Sequence, residues 1–306
     1  MVPPSLNPLL LPKIVVPLPM DEAKQLISLF EQYSQRYFTN TKTKVHESSI
    51  FKRNSNVFEA MEYSFFSGGK RFRPLLGLSL TQVYRDTFAD VLPWLLGIEM
   101  IHTYSLIHDD LPPLDNDDLR RNKPTCHKVF GEDIAILAGD ALSTWAFQVI
   151  AQEYQNTPTL ALQLVNHLSE AIGVSGMVHG QMIDLHSKRT PLSLEETLEM
   201  HRLKTGALIK VTLWGVAAIL GLTEEQQRHC ALLGEKIGLA FQLRDDLIDS
   251  NLEIERGSIP AIVGLERTRQ ILSDIHSESQ LMCEALGIKK HTLFYKLLQF
   301  NIDRQH

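Results

Sequence analysis

Apolar positions recur at helical spacing almost everywhere after Asp21. Leu26, Ile27, Phe30 and Tyr33 share one face of a first helix, which the pattern ends near Tyr37. Residues 39–55 are polar and read as a connection. The runs 91–107, 135–152, 159–172 and 194–220 are long and rich in Leu, Ala, Met and Glu, all good helix formers. Short alternating β-branched runs, the mark of strands, are nearly absent. The proline-marked stretches 112–126 and 186–193 read as inter-helix loops. The pattern predicts an all-α fold, a single-domain helical bundle over residues 21–306.

The first twenty residues break this pattern. They are apolar but carry Pro3, Pro4, Pro8, Pro12, Pro17 and Pro19, so residues 1–20 read as an extended proline-rich arm. A signal peptide needs a basic start and an unbroken apolar core, and both are missing. No apolar run reads as long enough to span a bilayer, so no stable membrane insertion is expected.

Composition adds little but excludes some classes. With 44% hydrophobic and 22% charged residues among 306, the chain has ample material for a core. Its net charge of −6 gives no general attraction to nucleic acid or anionic membrane. Three scattered cysteines, Cys126, Cys230 and Cys283, argue against a disulfide framework or a zinc site and for a reducing cytoplasm.

The strongest local signal is the segment from His108 to Arg121. Asp109, Asp110, Asp115, Asp117 and Asp118 place five carboxylates in ten residues. Pro112 and Pro113 end the preceding apolar helix just after the first pair. Such crowded acids repel unless they are solvated or share a cation. Hard carboxylate oxygens suit Mg²⁺, which completes its shell with water and phosphate oxygens. Arg120 and Arg121 follow at once and can bind the remaining phosphate oxygens. A solvated acidic loop is the plain alternative. The His108-Asp109 pair also resembles the metal-binding core of HD-type phosphohydrolases, which leaves the other acids and both arginines unexplained.

A second cluster closes another helical run. Asp245 and Asp249 lie four apart on one helix face, and Gln242 shares much of it. Asp246 stands beside them. With no lysine near, these acids destabilise an isolated helix and invite an external cation. Taken together, the two clusters could clamp one metal–diphosphate group from opposite sides.

Cationic anchors complete the constellation. Lys70, Arg71 and Arg73 follow the flexible pair Gly68-Gly69, which could also be an ordinary turn opening a helix at Pro74. His102 lies two helical turns before Asp109 on nearly the same face, where a core histidine is the alternative. Lys204-Thr205-Gly206 interrupts a long helical pattern, and such an interruption frees backbone carbonyls. Gln181 and Asp184 share a face, which structural hydrogen bonding explains equally well.

These segments, in this order, resemble the trans-prenyltransferase (polyprenyl synthetase) family, and within it the bacterial farnesyl diphosphate synthases. The resemblance runs from about Asn56 to Leu272 and rests on GGKRFRP, HTYSLIHDDLPPLDNDDLRRNKPTCHKVFGE, ILAGDAL, GMVHGQMIDL, HRLKTGALI and GLAFQLRDDLID. It implies an isoprenoid-synthase-type bundle with the two aspartate motifs facing each other across a central cavity, usually in a homodimer. Carried over by position, Asp109, Asp110, Asp115, Asp245, Asp246 and Asp249 would bind Mg²⁺. Lys70, Arg73, His102 and Arg121 would hold isopentenyl diphosphate. Arg120, Lys204 and Gln242 would hold the allylic diphosphate, with Lys204, Thr205 and Gln242 facing the reacting centre. Tyr104, five positions before Asp109 and next to the small Ser105, would set the cavity floor and a fifteen-carbon product.

The chain departs from the family after Asp249. There the family continues with a lysine- and glycine-rich loop, whereas here about twenty residues, including a diphosphate-binding lysine, are missing before the pattern resumes near Pro260. That departure keeps a second reading open: a weakened paralogue that binds prenyl diphosphates or serves as a subunit. A terpenoid cyclase is a third, opposed by the isopentenyl diphosphate anchors.

Overall fold

The computed structural model describes residues 20–47, 55–249 and 258–303, and their secondary structure is almost wholly helical. The proline-rich arm lies outside the described residues up to Met20, as does the segment 250–257.

Helix α1 (Met20–Glu47) runs well past the end expected near Tyr37. Residues 39–47 are mostly polar but contain no glycine or proline to stop a helix. The Thr39 and Thr43 hydroxyls bond back to the carbonyls of Gln35 and Thr39, at 2.8 and 3.1 Å. Phe38 anchors this part, fully buried among the rings of Phe58, Phe65, Phe66 and Trp145. Helices α2 (Ser55–Phe65) and α3 (Phe72–Tyr84) follow, then α4 (Leu92–Asp109). Helix α4 is apolar nearly all round, and twelve of its residues are buried, which places it at the centre.

A two-residue hairpin stands where only a loop was expected. Strands β1 (Leu119–Arg120) and β2 (Lys123–Pro124) pair antiparallel. Arg121 and Asn122 form its turn with φ of 54° and 61°, the left-handed pair that suits a tight hairpin. After it come α5 (Cys126–Phe130), α6 (Glu132–Glu153), α7 (Pro158–Ile172), α8 (Met177–Ser187) and α9 (Leu194–His201). A π-helical turn over Arg202–Gly206 leads into α10 (Ala207–Ile219). Helices α11 (Glu224–Asp249), α12 (Ile259–Val263), α13 (Leu265–Ala285) and α14 (Leu293–Asp303) complete the chain.

Helix α4 packs along α6, α10 along α11, and α11 against α13. The larger apolar cluster spans α1 to α14 around the buried Trp94, Leu95, Ile98 and Leu142. A smaller one, Ala240, Leu243, Leu247, Ile259, Leu272 and Ile275, ties α11 to α12 and α13. The expectation that no apolar run could span a bilayer needs one correction. Helix α6 has 22 residues and a window of mean hydropathy 1.5, long and apolar enough by composition. Its Ala138, Leu142, Ala146 and Val149 are buried, as in a core helix. All three cysteines are buried thiols without a disulfide.

Candidate active site

The first aspartate cluster starts where α4 stops. Asp109 is the last residue of the helix, and the loop folds back so that the Asp115 amide donates to the Asp109 carbonyl at 2.9 Å. Asn116, with φ 55°, donates to the Leu111 carbonyl at 3.1 Å. Two of the cluster's first three acids thus sit side by side. Burial raises the Asp109 carboxyl to about 6, and the neighbouring Asp115 and Asp110 charges push the same way, while Lys204 and Arg120 oppose them. Asp110 is almost fully buried, and its Oδ1 accepts from Arg120 Nε at 2.6 Å.

The hairpin sends its two arginines to different places. Arg120 reaches Asp110 and, at 3.3 Å, Asp117. Arg121 donates to the Gly68 carbonyl across the entrance of α3. Gly69, at φ 119°, lies so close to the Arg121 guanidinium that any Cβ there would collide with it. The glycine pair is therefore a seat for Arg121 as well as a flexible turn.

Of the three cations that follow, each has a separate setting. Lys70 is exposed. Arg71 is buried in the left-handed region at φ 45° and bonds to Glu31, Glu99 and the Phe65 carbonyl, at 2.6, 3.0 and 2.7 Å. It is a structural cation, which the sequence did not separate from its neighbours. Arg73 lines the cavity with its Nε shut off from solvent and without a hydrogen-bond partner. Burial lowers its guanidinium to about 10, against the pull of Glu99. His102 beside it is held well below the usual imidazole range by burial and by the arginine charges, so it is neutral.

Lys204 and Thr205 project from the π-helical turn. Helix α9, which leads into that turn, begins with a capping box: Ser193 Oγ accepts from the Glu196 amide at 3.2 Å, and the Ser193 amide donates to Glu196 Oε2 at 2.8 Å. The turn widens at Arg202–Gly206, where the sequence suggested an interrupted helix. Lys204 Nζ bonds Asp184 of α8 at 2.5 Å. Gly180 lets α8 approach this closely, since a Cβ there would strike the Lys204 backbone.

Nine of the residues singled out from sequence, namely Arg73, His102, Tyr104, Ser105, His108, Asp109, Gln181, Lys204 and Thr205, line one cavity of about 430 Å³. Sequence reasoning missed its apolar wall, formed by Met177, Val178, Met182 and Leu185 of α8. It also missed Lys188, just past α8, which pairs with Asp115 at 2.8 Å. Asp110, Arg120 and Arg121 border a separate small pocket beside α4.

The second cluster stands on α11, outside that cavity's lining. Gln242 and Asp245 are half-buried there, and Asp249 is exposed at the helix end. Asp246 Oδ2 accepts from the Ile259 amide at 2.8 Å and so holds α12 to α11. It also lies 3.8 Å from Nε2 of the buried His201, a nitrogen without a hydrogen-bond partner. His108, the centre of the phosphohydrolase alternative, sits in a niche made by Gly139 and meets the Ile136 carbonyl at 3.1 Å through Nε2.

The donor set fits a magnesium ion that arrives with its substrate. Among the described residues no three carboxylate, imidazole or thiol groups form a ready-made cage. Asp109 and Asp115 offer oxygen donors, and burial together with the neighbouring acid charges makes Asp109 costly to ionise without a cation. Magnesium takes one or two carboxylates and fills its shell from phosphate and water.

Comparison with known proteins points the same way. Residues 54–256 match the sequence model of the polyprenyl synthetase family. The chain is 42% identical to the farnesyl diphosphate synthase of Micrococcus luteus over 251 residues, covering 77% of this chain and 86% of that protein. It is 38% identical over 227 residues to a geranylgeranyl diphosphate synthase of Cyanophora paradoxa, covering 69% and 76%. An FPP/GFPP synthase of Zymomonas mobilis has a similar structure, with a TM-score of 0.81 and 31% identity over 92% of this chain and 99% of that one.

Proposed function

Since this chain belongs to the polyprenyl synthetase family and is a prenyltransferase, we propose that it condenses isopentenyl diphosphate with dimethylallyl and then geranyl diphosphate, giving farnesyl diphosphate. The observation that carries this reading is the cavity: a largely apolar pocket of about 430 Å³ whose lining also includes Arg73, His102, Asp109 and Lys204. An isoprenoid chain fits the apolar wall, and its diphosphate fits the charged residues.

Arg73, His102, Arg121 and Lys70 hold isopentenyl diphosphate. The unpartnered Arg73 Nε supports this role, because a buried donor without an acceptor is costly unless a ligand supplies one. Lys204, Arg120 and Gln242 hold the allylic diphosphate. Asp109, Asp110 and Asp115, with Asp245, Asp246 and Asp249, would hold magnesium, which when bound neutralises the departing diphosphate. Asp109 and Asp115 suit this best: Asp110 and Asp246 carry bonds to Arg120 and to the Ile259 amide, whereas the ion pair of Asp115 with Lys188 is with an exposed side chain.

As the allylic C–O bond ionises, the π-helical turn offers Thr205 near the new cation. The double bond of isopentenyl diphosphate attacks it, a C–C bond forms, and a proton leaves to the released diphosphate. Met177, Val178, Met182 and Leu185 keep water away from the cation. Tyr104 and Ser105 set the cavity's depth and hence a fifteen-carbon limit. Exposed apolar side chains on α6 to α8, such as Ile136, Leu137 and Leu162, support a homodimer.

The test is an incubation of purified protein with Mg²⁺, labelled isopentenyl diphosphate and either allylic substrate, followed by sizing of the products. A fifteen-carbon diphosphate, lost in Asp109→Ala, supports the reading. Binding of both diphosphates without condensation overturns it and leaves a prenyl-diphosphate-binding protein.

A further inference from the structure

Lys188 plays no part in the proposed reaction so far, yet it pairs with one of the acids assigned to the metal. It caps the C-terminus of α8, three residues after the cavity-lining Leu185. Its Nζ lies 2.8 Å from Asp115 Oδ1 and 3.5 Å from the carbonyl of Leu114, itself a cavity-lining residue. Asp184 and Asp109 also act on this ammonium electrostatically. An ammonium therefore occupies one of the two carboxylates best suited to the metal. The side chain is 48% exposed, so its pairing with Asp115 is screened by solvent and readily exchanged.

We propose that Lys188 is a displaceable counter-ion of the metal site: it neutralises Asp115 until the metal–diphosphate arrives, then yields the carboxylate and pairs with diphosphate oxygens instead. This rests on the prenyl-transfer reading of the site. The physical basis is competition. Asp115 can give its Oδ1 lone pairs to the ammonium or to a cation bound in its place, and metal binding must first release the lysine. A lysine suits the exchange because its ammonium is a compact point charge on a long flexible stem. The stem is anchored at the end of α8, a helix whose Asp184 holds Lys204, so the released charge stays near these groups.

Competition predicts two effects of opposite sign. Lys188→Met keeps the stem and removes the charge. In titration calorimetry without substrate, this variant is expected to bind Mg²⁺ about two- to five-fold more tightly than the original chain, the range an exposed ion pair supports. At saturating Mg²⁺ it is expected to bind inorganic diphosphate about two- to five-fold more weakly. Lys188→Arg is expected to restore both values. A merely structural lysine would instead lower both affinities and the melting temperature together. Unchanged or weaker Mg²⁺ binding in Lys188→Met, or unchanged diphosphate affinity, overturns the proposal. The two ideas fail separately. An original chain that binds Mg²⁺ and diphosphate but forms no product overturns the prenyl-transfer reading and leaves the exchange intact. An active chain whose Met variant binds both ligands as before overturns the exchange alone.

Discussion

Replacing Arg71 with methionine tests the idea that one buried cation organises the isopentenyl diphosphate anchors. The Arg71 side chain is 1% exposed and Glu99 is 3% exposed, so this pair is shielded from water. Arg71 uses three donors, on Glu31, Glu99 and the Phe65 carbonyl, and lies over the Phe65 ring at 4.9 Å. Arg71→Met leaves Glu99 charged and buried, and removing one partner of a buried pair costs about 3–5 kcal/mol. Arg73 and Arg121 still act on Glu99, which places the expected loss near the lower end, about 3 kcal/mol. With an unfolding entropy of about 0.6 kcal/mol/K for a chain of this size, the melting temperature should fall by roughly 5 °C. Urea unfolding followed by circular dichroism gives the free energy directly. The double variant Arg71→Met/Glu99→Gln carries no orphaned charge and should lose less than the sum of its two single variants. A loss below about 1 kcal/mol for Arg71→Met, or strict additivity in the cycle, would refute the reasoning. In the same variant the KM for isopentenyl diphosphate should rise more than that for the allylic substrate, because Arg73 stands two residues away.

Gly180→Ala puts a methyl group against the Lys204 backbone; it should cost about 1–3 kcal/mol and raise the allylic KM, both readable from denaturation and steady-state kinetics. His102 is held neutral, its pKa lowered, so binding of isopentenyl diphosphate should show no break near pH 6.5. His102→Gln, which keeps a hydrogen-bond donor, should retain that affinity; an inflection near pH 6.5 that the variant abolishes would contradict the neutral state. Tyr104→Ala deepens the cavity that Tyr104 lines and should shift products beyond fifteen carbons by chromatography; an unchanged product would place the floor elsewhere.

Much of the candidate site was legible because its chemistry is written in local segments. Asp109, Lys204 and Thr205 were marked by acid crowding and by a weak point in a helical pattern, and helix α4 by its apolar run. The loops were less legible. Residues 39–55 looked like a connection because they are polar, but Phe38 just before them is buried and no breaker intervenes up to Glu47, so α1 runs on to that residue. The hairpin at Leu119–Pro124 is too short to leave a periodicity.

The sequence by itself determined that the chain is helical, where its acids and cations cluster, and which family it belongs to, since spacing and residue type suffice for each. Only the tertiary structure separated Arg71 from Arg73, because both are arginines in one turn and burial against Glu99 decides which is structural. It alone gave Asp246 to α12. It alone brought Lys188 to Asp115 across 73 positions of chain. Pairings at such separation depend on how helices pack, and no local pattern encodes them.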